Sequence, residues 1–445
     1  MILANQATRT EIPMTKMLSR DRLEQALSRI ADPSGEGARA CLMVYADTAR
    51  QAADAADGRA KTGKPLGPMD GVVVSIKDLF DLKGEVTRAG SRVLADEGLV
   101  AAADAPAIAR LKAAGAVIVA KTNMSEFAFS GVGVNPHFGT PGNPFDRSRA
   151  PGGSTSGGGV AVADGMCEIA IGTDTGGSTR IPAALCGIVG WKPSKQRVPT
   201  DGAFPLSFTL DSIGPLARSV ADCALADAVM AGDKPETIEP VSLSGLKLGI
   251  WQGVPFEGID GTVSAAWSAA VVRLGRAGVR LTDEAIVLVE DMVQVNAKGG
   301  FAPTESFAIH RERLKSHGAG IDQLIRARIE RGGTVPAYDY VDMMQGRKRL
   351  VQAMHARLEG LDALVLPTTA IVAPKISDVA AADEFGRKNA MLLRNTSMIN
   401  FFDLCAISLP LPRDGALSTG LMLAGRNGSD AKLFRIAAAV ERLFN

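Results

Sequence analysis

Helical patterns alternate with short apolar runs along this chain, and that alternation most restricts the fold it can adopt. Residues 72–76, rich in β-branched side chains, and residues 116–120 predict buried strands, whereas residues 104–114 have the spacing of a helix. Asp104 is a candidate N-cap of that helix, and Gly115 follows it where a left-handed residue often ends a helix. Strands joined through helices form sheets whose two faces are both covered. The pattern predicts an α/β fold in which a large central mixed β-sheet is flanked by helices on both faces.

The length of the chain limits the number of domains. With 445 residues it can form one large core or about two to three ordinary domains. Residues 41–60 predict a further helix, and residues 235–244, polar with two prolines, form the most linker-like segment. Strand and helix patterns resume directly after that segment. We therefore expect a single domain over residues 1–445, in which residues 236–445 complete the sheet and shape a pocket.

Charge and cysteine content limit the partners and the compartment. Lys and Arg number 49 and Asp and Glu 48, so the chain has no basic field for nucleic acid. The five cysteines, at positions 41, 167, 186, 223 and 405, include no C-x-x-C pair, which favours reduced thiols in the cytoplasm. No apolar run approaches the roughly 20 residues of a membrane span. Residues 1–20 carry Glu11 and lack the pattern of a signal peptide. We expect a cytoplasmic protein that binds neither nucleic acid nor a membrane directly.

The histidine content gives little support to metal chemistry or to a histidine base. The chain has four histidines. His310 and His317 fall in a polar stretch predicted to be an exposed helix, and His137 lies in a predicted loop, where a structural role is favoured. No H-E-x-x-H motif or Cys/His cluster is present. The sequence therefore disfavours a zinc site and a Ser-His-Asp triad.

The most informative loop follows the apolar run at residues 169–171. Residues 172–182 have the sequence GTDTGGSTRIP, and Gly176 and Gly177 permit a sharp turn because they lack a Cβ. Successive N–H groups in such a turn can converge on an anion. Ser178 would then be a nucleophile beside an oxyanion site, the arrangement that acyl transfer requires. The alternative interpretation is a glycine-rich strand-to-helix loop with an incidental serine.

Two further polar residues lie at a strand end and in a second glycine-rich loop. Lys77 ends the strand 72–76, and Ser154 lies within the sequence PGGSTSGGG at residues 151–159. A lysine that acts as a base needs its pKa moved from about 10.4 toward about 7. Burial lowers the pKa because a low-dielectric site penalises the charged form. The alternative is a strand-end lysine whose ammonium group reaches solvent.

Together these segments resemble the amidase signature family of serine hydrolases. Three blocks match in the family's order and spacing: V-x-I-K-D at 74–78, G-G-S at 152–154 and G-T-D-x-G-G-S at 172–178. The clear match, the signature core, covers about residues 65–220, and a weaker one returns at 362–367 and 400–430. The resemblance implies the amidase signature fold. It also implies hydrolysis of a carboxylic or urea-type amide C–N bond through a serine acyl-enzyme, releasing ammonia or an amine without a metal or cofactor.

The resemblance further implies a role for each residue of the triad. Ser178 would attack the substrate carbonyl, Ser154 would relay the proton, and Lys77, neutral at rest, would be the base. The oxyanion hole would be formed by the backbone N–H groups of Thr175, Gly176, Gly177 and Ser178.

Supporting roles follow from the same resemblance. Asp174 and Arg180 would brace the loop, with a plain surface ion pair as the alternative. In the family the bond between Gly153 and the following serine is cis, and Thr155 stands where serine is frequent. The substrate pocket is less clear from the sequence. Its candidate walls are Met124, Phe127 and residues 205–208, for which core packing is the alternative.

Other functions remain open within the same fold. One branch of the family is the glutaminase subunit of the glutamyl-tRNA amidotransferase, which works with a second, tRNA-binding subunit. That branch carries an aspartate near the position of Asn400 to hold the amino group of glutamine, whereas residues 392–395 here contain no acid. We therefore favour a free-standing amidase acting on a small-molecule amide, with a homodimer left open. A non-catalytic scaffold is a further alternative, which the presence of all three triad residues argues against.

Overall fold

The computed structural model describes residues 17–413, 415 and 417–445. The expectation for the amino terminus falls largely outside these residues. The strands are β1 (Cys41–Val44), β2 (Val73–Lys77), β3 (Val117–Thr122), β4 (Ile169–Thr173), β5 (Val189–Lys192), β6 (Ile213–Ala217), β7 (Lys247–Gln252), β8 (Arg280–Ala285), β9 (Ala363–Pro367), β10 (Cys405–Pro410) and β11 (Gly420–Gly425). The α-helices are α1 (Ser19–Ala31), α2 (Gly37–Ala40), α3 (Ala46–Lys61), α4 (Arg92–Glu97), α5 (Pro106–Ala113), α6 (Ser156–Ala163), α7 (Arg180–Cys186), α8 (Val220–Ala231), α9 (Gly261–Arg276), α10 (Leu288–Asn296), α11 (Phe301–His317), α12 (Gln323–Gly332), α13 (Ala337–Arg357), α14 (Ala382–Phe401) and α15 (Asp430–Phe444).

These strands form one eleven-stranded sheet in the order β1-β3-β2-β4-β6-β5-β10-β11-β9-β7-β8. β2 is parallel to both of its neighbours, β3 and β4, and β7 is parallel to β8 and β9. The other pairs are antiparallel, so the sheet is mixed, as predicted. The five strands after residue 236 extend the same sheet through the β5–β10 pair. We therefore propose that the chain forms one domain.

Helices cover both faces of the sheet, which confirms the predicted fold class. Val74 of β2 belongs to one hydrophobic cluster together with Leu111 of α5. Val73, its neighbour in the strand, belongs to a second cluster together with Val160 of α6. Successive side chains of a strand point to opposite faces, so the two clusters lie on opposite sides of the sheet. Neither face of β2 is left to solvent, and all five of its residues are buried.

Two local predictions were wrong, both because tertiary contacts compete with local propensity. Residues 41–44 form the edge strand β1, paired with β3, and α3 begins only at Ala46. Strand propensity depends on context, and here the partner lies far along the chain. Asp104 is not an N-cap: its carboxylate accepts from the backbone N–H of Lys83 and binds the ammonium group of Lys112. α5 instead begins at Pro106, whose fixed φ suits a first helical turn.

Gly115 has the left-handed φ of +88° that its position after α5 predicted. Within the part of the chain that is described, no helix combines the length and the apolar character needed to cross a membrane.

Candidate active site

Sheet topology brings two of the predicted segments to the same edge. Because β2 and β4 are parallel neighbours, Lys77 at the end of β2 lies beside the loop that follows β4. The Lys77 side chain is fully buried. Its Nζ lies 2.7 Å from Oγ of Ser154 and 2.9 Å from Oγ1 of Thr173, within hydrogen-bond distance of both. The interpretation of Lys77 as a strand-end lysine that reaches solvent does not hold.

Burial sets the protonation state of this lysine. Desolvation lowers the pKa of Lys77 to about 7, although the negative charges of Asp174 and Asp211 partly oppose the shift. At neutral pH and above, a large fraction of Lys77 is therefore uncharged, and an uncharged amine can accept a proton.

The two serines lie in adjacent loops. The Gly153–Ser154 peptide bond is cis. The backbone N–H of Thr155 donates to the carbonyl oxygen of Ser178 at 3.3 Å, which ties the two loops together. The Ser178 hydroxyl has no hydrogen-bond partner among the described residues, and Ser178 lines a cavity. Thr155 is fully buried, and its hydroxyl likewise lacks a partner in the described chain.

The backbone after Asp174 has the features of an anion site. Among the described residues, no acceptor faces the backbone N–H groups of Thr175, Gly176, Gly177 and Ser178. Gly177 has a φ of +136°, and a Cβ added there would lie 2.1 Å from Oγ1 of Thr396. That Thr396 hydroxyl donates to the carbonyl oxygen of Gly176 at 2.6 Å. Both the backbone conformation and the close approach therefore require glycine at position 177.

A buried ion pair supports this loop from beneath. Nε and Nη2 of Arg180 donate to the two carboxylate oxygens of Asp174, at 3.0 and 2.8 Å, and neither side chain is exposed. Asn400 adds a bond from its Nδ2 to Asp174 at 2.9 Å. Burial opposes ionisation of Asp174, yet the Arg180 guanidinium, the Asn400 amide and the charge of Lys192 together hold the pKa of Asp174 well below its usual range. These side chains do not form a surface ion pair.

Beside Ser178 lies a cavity of about 160 Å³. Its walls are mostly apolar, and they include Phe129, Leu206, Leu210, Met292, Leu393 and Phe401. Thr175, Gly176 and Ser178 line the cavity as well, so the predicted nucleophile and part of the predicted oxyanion site face the same space. A volume of this order holds a small molecule rather than a polymer.

Arg328 of α12 brings a cation to the cavity wall, and no sequence motif pointed to it. Its guanidinium stacks 4.5 Å from the centre of the Phe129 ring. Its buried Nε has no hydrogen-bond partner among the described residues, and burial lowers the pKa of Arg328 to about 10. No carboxylate is found among the described residues that line the cavity. In the sequence, Arg328 stands among other charged residues of a helix and looks like part of a solvated face.

The predicted pocket walls are only partly in place. Met124 and Phe127 are buried in the core and do not line the cavity, so core packing, the alternative interpretation, accounts for their positions. The residues that follow them, 128–130, form the wall instead. Of residues 205–208, Leu206 faces the cavity, whereas Phe208 is 65% exposed.

No histidine is among the described residues that line the cavity beside Ser178. The expectation that His310 is exposed was wrong: it is buried, with its ring 4.1 Å from that of Phe127. His317 is exposed, and His137 contacts the carboxylate of Glu126 at 3.1 Å. In the described chain no group of three or more His, Cys, Asp or Glu side chains has the arrangement of a metal site.

Comparison with known proteins places the chain among amide hydrolases. The family model Amidase matches residues 22–434. The chain is 36% identical to 2-amino-5-chloromuconic acid deaminase of Comamonas testosteroni, over 89% of this chain and 86% of that protein. It is 37% identical to one subunit of the glutamyl-tRNA(Gln) amidotransferase of Anaeromyxobacter dehalogenans, over 95% of this chain and 92% of the relative. The crystal structure of an amidase superimposes with a TM-score of 0.86 and 29% identity, covering 97% of each chain.

Proposed function

The chain belongs to the amidase family, and on that basis we propose that it hydrolyses the C–N bond of a small linear amide that carries an anionic group. The reaction would pass through an acyl-enzyme on Ser178 and release ammonia or an amine. The observation that supports this proposal most strongly is the 2.7 Å contact between the buried Nζ of Lys77 and Oγ of Ser154.

In the proposed reaction each group has one task. Ser178 Oγ attacks the amide carbon as its proton passes to Ser154, which gives its own hydroxyl proton to the uncharged Nζ of Lys77. The free N–H groups of residues 175–178 bind the oxygen anion that forms. The C–N bond then breaks, and the proton returns by the same route to the departing nitrogen. Water next attacks the carbonyl carbon of the acyl-enzyme while one of its protons passes through Ser154 to Lys77. The ester C–O bond to Ser178 then breaks, the proton returns by the relay to Ser178 Oγ, and the acid is released.

The cavity supports an anionic substrate. Arg328 lacks an acceptor for its buried Nε among the described residues, and a carboxylate is the group that best satisfies a guanidinium out of water. The name of the Comamonas testosteroni relative, a deaminase of a muconic acid, agrees with an acidic substrate.

A glutaminase subunit is the second candidate, favoured by the identity to the amidotransferase of Anaeromyxobacter dehalogenans. Glutamine carries an ammonium group as well as a carboxylate. The described lining of the cavity contains no carboxylate to bind that ammonium group. The residues that α14 contributes to the lining include the uncharged Leu393 and Ser397. An unpaired ammonium group in an apolar cavity is costly. We therefore favour a free-standing amidase acting without nucleic acid or membrane.

We also propose that the protein works in the cytoplasm. All five cysteines are free and buried, an arrangement that suits a reducing compartment.

A serine-directed phosphonylating probe tests the mechanism without knowledge of the substrate. We expect the wild-type protein to be labelled at Ser178, as located by peptide mass spectrometry, and the Ser178→Ala and Lys77→Ala variants to lose roughly 10³-fold or more in labelling rate. Lys234→Ala, which removes an exposed lysine, is the matched control. Labelling elsewhere, or full labelling of Lys77→Ala, would overturn the relay. A glutaminase assay with and without a candidate partner subunit separates the second function.

A further inference from the structure

The segment of residues 206–211 forms one wall of the cavity and is held from two sides. Leu206 and Leu210 face the cavity. On its outer side, the buried carboxylate of Glu305 in α11 accepts from the hydroxyl groups of Ser207 and Thr209 and from the backbone N–H of Thr209. The same carboxylate accepts from the hydroxyl of Tyr340. The outer anchor fixes the wall to the helical layer.

The inner anchor joins the wall to the loop that carries Ser178. Oδ2 of Asp211 accepts from the backbone N–H groups of Leu206 and Ser207, at 3.0 and 3.1 Å. Its Oδ1 accepts from the hydroxyl of Thr175 at 2.6 Å. The Asp211 side chain therefore links the two ends of the wall segment and also binds Thr175, the first residue of the predicted oxyanion hole.

We propose that Asp211 is a positioning residue of the reaction: it fixes the oxyanion loop to the cavity wall through Thr175, and it lines a second cavity together with Thr173, the residue whose hydroxyl contacts Lys77. The inference rests on the proposed function and deepens it, because it makes the geometry of the anion site and the basicity of the lysine depend on one carboxylate. Asp211 touches none of the reacting atoms in this arrangement.

The charge has a defined direction of effect. The groups in contact with the ammonium nitrogen of Lys77 are the neutral hydroxyls of Ser154 and Thr173, and the carboxylates of Asp174 and Asp211 act on it through their charge. Both carboxylates raise the pKa of Lys77 and so oppose the lowering by burial. Asp211 itself faces Lys195, whose charge favours the ionised carboxylate, although burial raises the pKa of Asp211. Removing the charge of Asp211 therefore lowers the pKa of Lys77 further.

Asp211→Asn separates charge from geometry. The amide oxygen can accept from the two backbone N–H groups, and the amide nitrogen can donate to the Thr175 hydroxyl. We measure the rate of probe labelling at Ser178 between pH 5 and 9. The ratio of the rate at pH 6 to the plateau rate should rise by roughly threefold or more, since more Lys77 is uncharged at pH 6. Asp201→Asn, the same exchange at an exposed residue ten positions earlier in the chain, is the control and should leave the profile unchanged.

Asp211→Ala and Thr175→Val test the geometric part. Each removes the bond between the two side chains, and each should reduce the plateau labelling rate by about tenfold to a hundredfold, the scale of a misplaced reacting group. The double variant should lose much less than the product of the two single losses, because the variants remove a shared bond. Glu305→Gln weakens only the outer anchor. It should leave the rise of the labelling rate between pH 6 and the plateau unchanged.

The possible results distinguish the two proposals. If wild-type protein is not labelled at Ser178, the proposed function fails. If it is labelled but folded Asp211→Asn keeps the wild-type pH profile, or if the losses of Asp211→Ala and Thr175→Val simply multiply, the role of Asp211 is overturned while the proposed function stands. Circular dichroism establishes that each variant is folded.

Discussion

Arg180 binds both carboxylate oxygens of Asp174, and the two residues are held in a part of the molecule that solvent does not reach. Arg180 also donates to Oδ1 of Asn400 in α14, at 2.6 Å. The pair therefore joins the loop carrying Ser178 to a helix more than 200 residues away. A charged pair so placed costs desolvation energy, but removing one member leaves the other unpaired in the interior.

Replacement of Arg180 by methionine should destabilise the whole protein. The remaining Asp174 carboxylate would be buried without its partner, a loss of about 3–5 kcal/mol in the free energy of unfolding. Arg387→Met, which breaks an exposed pair with Glu384, is the control and should leave the unfolding transition unchanged. Urea unfolding followed by circular dichroism measures both. An unfolding free energy of Arg180→Met equal to that of Arg387→Met would contradict the bracing role.

The pH dependence of turnover should report the ionisation of Lys77. Because desolvation lowers its pKa to about 7 and the base must be uncharged, kcat/KM should rise as pH increases through about 7 and level off above that. Steady-state rates of ammonia release between pH 5 and 9 provide the measurement.

A second buried lysine offers a control for that profile. Burial also lowers the pKa of Lys192, to about 8, but its Nζ donates to the carbonyl oxygens of Pro193 and Leu404. Folded Lys192→Met should therefore retain the acid limb. If kcat/KM of the wild-type protein did not change with pH, or if its rise with pH were lost in Lys192→Met, that rise could not be assigned to the ionisation of Lys77.

Arg328→Met should abolish the preference for anionic substrates. Succinamate and butyramide have the same chain length and differ in a carboxylate in place of a methyl group. We expect the variant to lose about 10- to 100-fold in kcat/KM for succinamate, the value of a charge-assisted hydrogen bond, and little for butyramide. Arg326→Met, on the same helix but paired with Glu330 on the surface, should behave as wild type. Equal losses of kcat/KM for both amides would show that Arg328 stabilises the cavity but does not bind the substrate carboxylate.

Gly177→Ala should prevent formation of the anion site. The new Cβ would meet Oγ1 of Thr396 at 2.1 Å in a backbone conformation that L-residues disfavour, so the loop must move. We expect a loss of roughly 100-fold or more in probe labelling at Ser178, the scale of a lost oxyanion donor.

A second glycine separates the effect of the positive φ from the effect of the steric clash. Gly360 also has a positive φ, +87°, but an added Cβ there meets no atom within 4 Å. Gly360→Ala should therefore cost a little stability and no labelling. If Gly177→Ala retained wild-type labelling, the loop would not need its present conformation.

Some of the site could be predicted from the sequence because its signals are local. The glycines, the serines and the strand-end lysine occur in short blocks of adjacent residues. A glycine-rich turn can be recognised from these residues alone, whatever the rest of the fold around it. The alternation of apolar runs and helical patterns likewise defined an α/β sheet, since each element's period depends on its own residues. The edge strand β1 escaped prediction because its partner β3 is distant in the chain.

The reactive groups that the chain carries, and the class of fold that holds them, can be inferred from the order of its residues alone. Their chemical state depends on how the chain folds. Lys77 looks the same in sequence whether it meets solvent or not, yet its basicity depends on being fully enclosed by segments from across the chain. Arg328 and Asp211 acquire their significance from the cavity and from Thr175, neighbours that are remote in sequence. The physical reason is that desolvation and electrostatic fields depend on all surrounding atoms, whereas motifs record only covalent neighbours.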